Sequence, residues 1–132
     1  MKLDYVYIKE ILVAIRNDDS HIIRSNILAE KLGVSFNKID ETAFNKFVGH
    51  IRILHDEGCI DSSTPDLGFS QGANDHWIVC SARYRMTSRG YEFLDALSKQ
   101  SVFDKIKDHS ISIAIEAGKQ LLIEGLKKGI IG

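Results

Sequence analysis

Proline is nearly absent from this chain, one residue in 132, and cysteine is scarce, with two residues. So little proline leaves no Pro-rich linker and no collagen-like repeat. The cysteines, Cys59 and Cys80, form no C-x-x-C pair and are too few for a disulfide framework, so a reducing, cytoplasmic setting is expected. Net charge is also missing: 17 Lys and Arg stand against 18 Asp and Glu. A chain with this balance has no global attraction for nucleic acid or an anionic membrane, and any such binding needs a local patch. No long apolar run is present. The most apolar stretch, 111–131, is interrupted by Glu116, Lys119, Glu124, Lys127 and Lys128, whose charges are costly in hydrocarbon, so no membrane partner is expected. Asp4, Lys9 and Glu10 interrupt the opening residues where a signal peptide needs an apolar core.

Catalytic signatures are missing as well. There is no H-E-x-x-H, G-x-S-x-G, Walker or G-x-G-x-x-G motif. His50 and His55 are five apart on an expected helix, so their rings point about 140° apart and cannot chelate one ion. Burial as small apolar residues is the expectation for both cysteines. No metal, cofactor or enzymatic activity is expected.

What is present is helical periodicity with clear ends. Ile8, Ile11, Leu12 and Ile15 recur at helical spacing behind Asp4, predicting a first helix over 4–16. After a short extended stretch at 21–23, Ser25 is placed to cap a second helix that Gly33 ends. A third, near 40–57, carries Phe44, Phe47, Val48, Ile51 and Leu54 on one stripe and stops at Gly58. Two β-rich segments follow, 59–64 and 76–86, joined by a Gly/Pro/Asn/Asp-rich loop that reads as one long hairpin. Thr87 or Ser88 then caps a fourth helix with Phe93, Leu94 and Leu97 inward, and Ser110 opens a long last helix to about residue 128.

The expected fold class is α+β and mainly helical: three helices, a two-stranded wing and a following helix, the order of a winged helix-turn-helix, with an added long C-terminal helix. The run from His50 to Ile60 resembles a recognition helix leading through glycine into a first wing strand. The run from Arg85 to Leu97 resembles the strand-to-helix step of many winged-helix regulators. With Met1 to Asp4, Ile8, Ile11, Leu12 and the later stretch from Val102 to Lys107, about residues 1–108 resemble an uncharacterised winged-helix family of bacteria and their prophages. That resemblance implies fold and host rather than chemistry. Residues 1–100 form the expected winged-helix domain and 101–132 a helical extension of the same unit.

Two partner classes follow. Removing the apolar stripe of the third helix leaves Lys38, Thr42, Asn45, Lys46 and His50 as candidates to enter a major groove, Asn45 suited to adenine and Lys46 to guanine or phosphate. Arg83 and Arg85 share one strand face, expected to include Trp77 and Val79, and are candidates for phosphate. Yet residues 35–57 hold Lys38, Lys46 and Arg52 against Asp40, Glu41, Asp56 and Glu57. The first reading is therefore a double-stranded DNA-binding transcription regulator. The alternative is a winged-helix protein-interaction module, an adaptor or phage-encoded inhibitor, without DNA binding. Along the last helix Ile111, Ala114, Gly118, Leu121 and Gly125 fall at 3-4-3-4 spacing, flanked by Ile115 and Leu122, and predict a homodimer seam. The plainer reading of the same spacing is a helix that completes the core of one chain.

Overall fold

The computed structural model describes residues 1–127. Asp4 opens the first helix, α1 (Tyr5–Asn17), its carboxylate accepting the Tyr7 N–H at 3.1 Å. A two-residue strand, β1 (Ile23–Arg24), leads into α2 (Ser25–Lys31). The Ser25 side chain is not a cap: its hydroxyl accepts the Ala82 N–H at 3.0 Å, and its own N–H donates to the Ala82 carbonyl at 2.8 Å. Gly33 ends this region at φ +78°, a conformation that costs glycine little.

α3 (Glu41–Asp56) starts at Asp40, whose carboxylate accepts the Ala43 N–H at 3.2 Å, and buries the predicted stripe of Phe44, Phe47, Val48, Ile51 and Leu54. Each such side chain contributes roughly 1.5–3 kcal/mol by leaving water. Gly58, at φ +75°, turns the chain into β2 (Ile60–Ser62).

The predicted single long hairpin is two hairpins. β2 pairs with β5 (Arg83–Met86), and β5 also pairs with β1, giving an antiparallel sheet in the order β1-β5-β2. Between β2 and β5 the chain makes a separate ribbon of β3 (Phe69–Gln71) and β4 (Trp77–Val79). The cause is tertiary: Phe69 enters an aromatic cluster with Phe36, Phe44 and Phe47, all at edge-to-face centroid distances of 5.8–6.1 Å. Such pairs add about 0.5–1.5 kcal/mol beyond area burial. Tyr84 holds the root of the inserted ribbon by donating its hydroxyl to the Leu67 carbonyl at 2.6 Å.

Thr87 joins the end of α3 to α4 (Ser88–Ser98): its hydroxyl donates to the Gly58 carbonyl at 2.6 Å and accepts the Gly90 N–H at 3.1 Å. α5 (Gln100–Ile106) and α6 (Ile111–Lys127) then fold onto α4. The molecule is thus α+β, with six α-helices and two small antiparallel sheets among the described residues. No helix of the described residues is long and apolar enough to cross a membrane.

The expected dimer seam is corrected here. Ala114, Ile115 and Gly118 are buried within the chain, and Ile111, Leu121 and Leu122 pack against the same core. Gly118 is needed for close approach to α4: a Cβ there would stand 2.8 Å from the Ala96 Cβ. The small residues serve the interior of one chain. Gly125 is half-buried, and residues 128–132, including the expected helix end, lie outside the described residues. Gly118→Glu is expected to destabilise the single chain by about 3 kcal/mol or more through an unpaired buried charge. Chemical denaturation measures this. A wild-type dimer that the substitution dissociates without loss of stability would restore the intermolecular seam.

Candidate nucleic-acid interface

α3 is anchored by its own polar residues, and this changes which of them face out. His50 is fully buried, so it is corrected from groove contact to core residue. Its position explains why: it lies three residues after Phe47 and four before Leu54, in the same buried stripe. The helical spacing already held that signal, masked by the polarity of the residue. The Nε2 atom accepts the Asp4 N–H at 3.0 Å and the Nδ1 atom lies 2.8 Å from the Lys46 carbonyl. A backbone N–H only donates and a carbonyl only accepts, so the ring is the neutral tautomer protonated at Nδ1. The Tyr7 ring meets it edge-on at 5.0 Å.

Lys46 is engaged by α1 while its side chain stays partly exposed. Its ammonium sits 3.0 Å from the Asp4 carboxylate and 4.5 Å above the Tyr7 ring. The residue expected to read guanine or phosphate is therefore already paired at the start of α1. What α3 leaves exposed is a strip of Glu41, Thr42, Asn45, Arg52 and Asp56, with Lys38 exposed just before the helix. Thr42, Asn45 and Lys38 thus keep the accessibility expected of them. The guanidinium of Arg52 rests 5.4 Å over Trp77, which in turn packs on Phe44 at 5.3 Å. The β3–β4 ribbon therefore lies along one flank of the strip.

The strand faces also need correction. Trp77 and Val79 pack against the core, and Ile78 is exposed, the reverse of the predicted alternation. The phase resets between β4 and β5, where Cys80, Ser81 and Ala82 belong to neither strand. Cys80 is exposed, against expectation, whereas Cys59 is buried and burial pushes its thiol up to about 11. Beyond the reset, Tyr84 and Met86 face in while Arg83 and Arg85 face out together, as the alternation within β5 requires.

One residue of this face escaped sequence reasoning. Arg24 is exposed and stands directly opposite Arg83 in the β1–β5 register, as Asp61 stands opposite Arg85 in β2–β5. The Arg85–Asp61 pair closes at 2.5 Å, while neither Arg24 nor Arg83 is in an ion pair among the described residues. Alternation after the buried Ile23 could have flagged Arg24; its partner needed the register.

Elsewhere, a cleft of about 530 Å³ at the start of α1 is lined by Lys2, Asp4, Lys46, Phe103, Lys107 and Asp108, among others. Among the described residues no three His, Cys, Asp or Glu side chains converge to hold a metal ion. Comparison of the chain with protein-family models, with curated proteins and with solved structures finds no match.

Burial holds the His50 pKa below its ordinary value of about 6.5, with the Lys46 ammonium acting in the same direction and the Lys46 carbonyl and Asp4 carboxylate opposing. A histidine kept neutral stabilises the fold fully above pH 6.5, and this contribution is lost as the pH falls below that value. The carboxylate of Asp4, held low chiefly by the Tyr7 N–H, adds a separate loss only below about pH 4. The melting temperature is expected to drop between pH 7.5 and 5.5, with a flatter slope in His50→Asn. That variant is expected to be about 1–3 kcal/mol less stable at pH 7.5. Equal slopes in the two proteins would contradict the assignment.

Proposed function

We propose that the chain is a winged helix-turn-helix domain that binds double-stranded DNA as a regulator. The observation that carries this reading is the sheet order β1-β5-β2. Its strands follow α1, follow α3 and precede α4, its outward face presents Arg83 and Arg85, and α3 leaves Thr42 and Asn45 exposed. In this arrangement Thr42 and Asn45 contact base edges, Lys38 approaches the backbone where α3 begins, and the two arginines contact phosphate. Lys46 and His50 hold α3 in place and do not touch DNA.

A second reading, a winged-helix protein-interaction module, is favoured by one observation. The exposed strip of α3 mixes Glu41 and Asp56 with Arg52 and carries no excess of cations. The two readings separate on salt.

Lys38, Arg83 and Arg85 correspond to about three phosphate contacts, so the logarithm of DNA affinity is expected to fall with the logarithm of salt at a slope of about −3. Arg83→Ala with Arg85→Ala should remove about two units of that slope. Asn45→Ala should leave the slope and cost about 1–3 kcal/mol in preference for the favoured sequence. Fluorescence anisotropy on labelled duplexes measures all three. No duplex binding at low salt, together with salt-insensitive capture of a protein, would select the second reading.

A further inference from the structure

Along the outer face of the sheet, two rungs of the ladder differ. In one, Asp61 faces Arg85 and the charges match at 2.5 Å. In the other, Arg24 faces Arg83, two like charges directly opposite on antiparallel strands, an arrangement that destabilises a sheet. Both side chains are exposed, and neither has a carboxylate partner among the described residues.

The backbone beneath them is held on both sides. Arg83 donates its N–H to the Ser63 hydroxyl at 2.9 Å and accepts the Ser63 N–H at 2.9 Å. The next rung toward α2 is closed by the reciprocal bonds between Ser25 and Ala82. The register that places the two arginines on adjacent strands is thereby held, and each guanidinium is a planar fork of donors suited to an oxyanion.

We propose that Arg24 and Arg83 form a phosphate-binding pair and that Asp61 is its built-in competitor. The ligand chemistry is a phosphate oxyanion, supplied by the backbone of a nucleic acid or by free phosphate; the nucleic-acid source rests on the reading above. A bound oxyanion relieves the Arg24–Arg83 repulsion. Asp61 opposes binding twice: it occupies Arg85, two residues along the same face of β5, and it places a negative charge beside the incoming phosphate. An exposed ion pair is weak, so Arg85 is available to a phosphate that displaces Asp61.

The test uses the full chain and four variants, Arg24→Gln, Arg24→Glu, Asp61→Asn and the control Arg16→Gln, whose wild-type side chain is exposed and, among the described residues, bonded only to Asn17. One arm measures affinity for a labelled duplex; the other measures the rise in melting temperature on adding inorganic phosphate at constant ionic strength. Arg24→Gln is expected to weaken duplex binding about 10-fold, the size of one charge-assisted bond, and to halve the phosphate effect. Asp61→Asn should tighten binding several-fold, and Arg16→Gln should change neither arm.

Arg24→Glu should melt higher than wild type without phosphate, because it pairs with Arg83, and should lose the phosphate effect. A merely structural Arg24 does not give these opposite signs. Phosphate stabilisation that depends on Arg24, with no duplex binding, keeps the anion site and overturns the DNA reading. Duplex binding indifferent to Arg24→Gln and Asp61→Asn does the reverse, and absence of both effects overturns both.

Discussion

A neutral imidazole buried between two helices sets the geometry on which the rest depends. His50 accepts the N–H of Asp4 at the start of α1 and donates to its own helix at Lys46. Asp4 in turn caps α1 through Tyr7 and pairs with Lys46, so one residue serves three bonds, two of which lock α1 to α3. A buried donor or acceptor left without its partner costs roughly 1–3 kcal/mol, and this cluster leaves none of these groups unmatched. The rotation of α3 about its axis follows from that lock, and with it the identity of the strip that faces water.

The functional consequence is a displacement of positive charge. Of the groups that α3 appeared to offer a ligand, His50 is turned to the interior and Lys46, still partly exposed, is paired with Asp4. The exposed cations that remain near the proposed binding face are Lys38 and Arg52 around the helix and the three arginines of the sheet. On the winged-helix reading the sheet supplies phosphate contacts and the helix supplies hydrogen-bonding groups with little charge. The near-neutral balance of the whole chain is compatible with such a division, because binding then rests on a local face.

Much of the helical framework was legible in the amino-acid order because its ends are chemically marked. Asp4 and Asp40 accept capping bonds where helices were expected to begin, Thr87 is the cap of the Thr87/Ser88 pair, and Gly33 and Gly58 adopt the positive φ that stops a helix. The β-rich middle was legible only as β-rich. Its division into two sheets comes from Phe69 and Trp77 seeking Phe44, a contact between residues far apart in the chain, and its change of phase comes from the three residues between β4 and β5 that join neither strand. The site was read less well than the fold. His50 was hidden by its polarity and Arg24 by its dependence on register, and the small residues of α6 have the same spacing whether they meet a second copy or, as here, Ala96 of α4.

The measurement that bears most directly on this account is the imidazole nitrogen NMR spectrum of His50 at pH 7.5, recorded without and with saturating duplex DNA. The account predicts a protonated, pyrrole-type Nδ1 and an unprotonated, pyridine-type Nε2, with both signals unmoved by duplex. A charged ring, a proton on Nε2, or signals that shift as duplex is added would contradict it, because His50 would then face the ligand instead of holding α3 against α1.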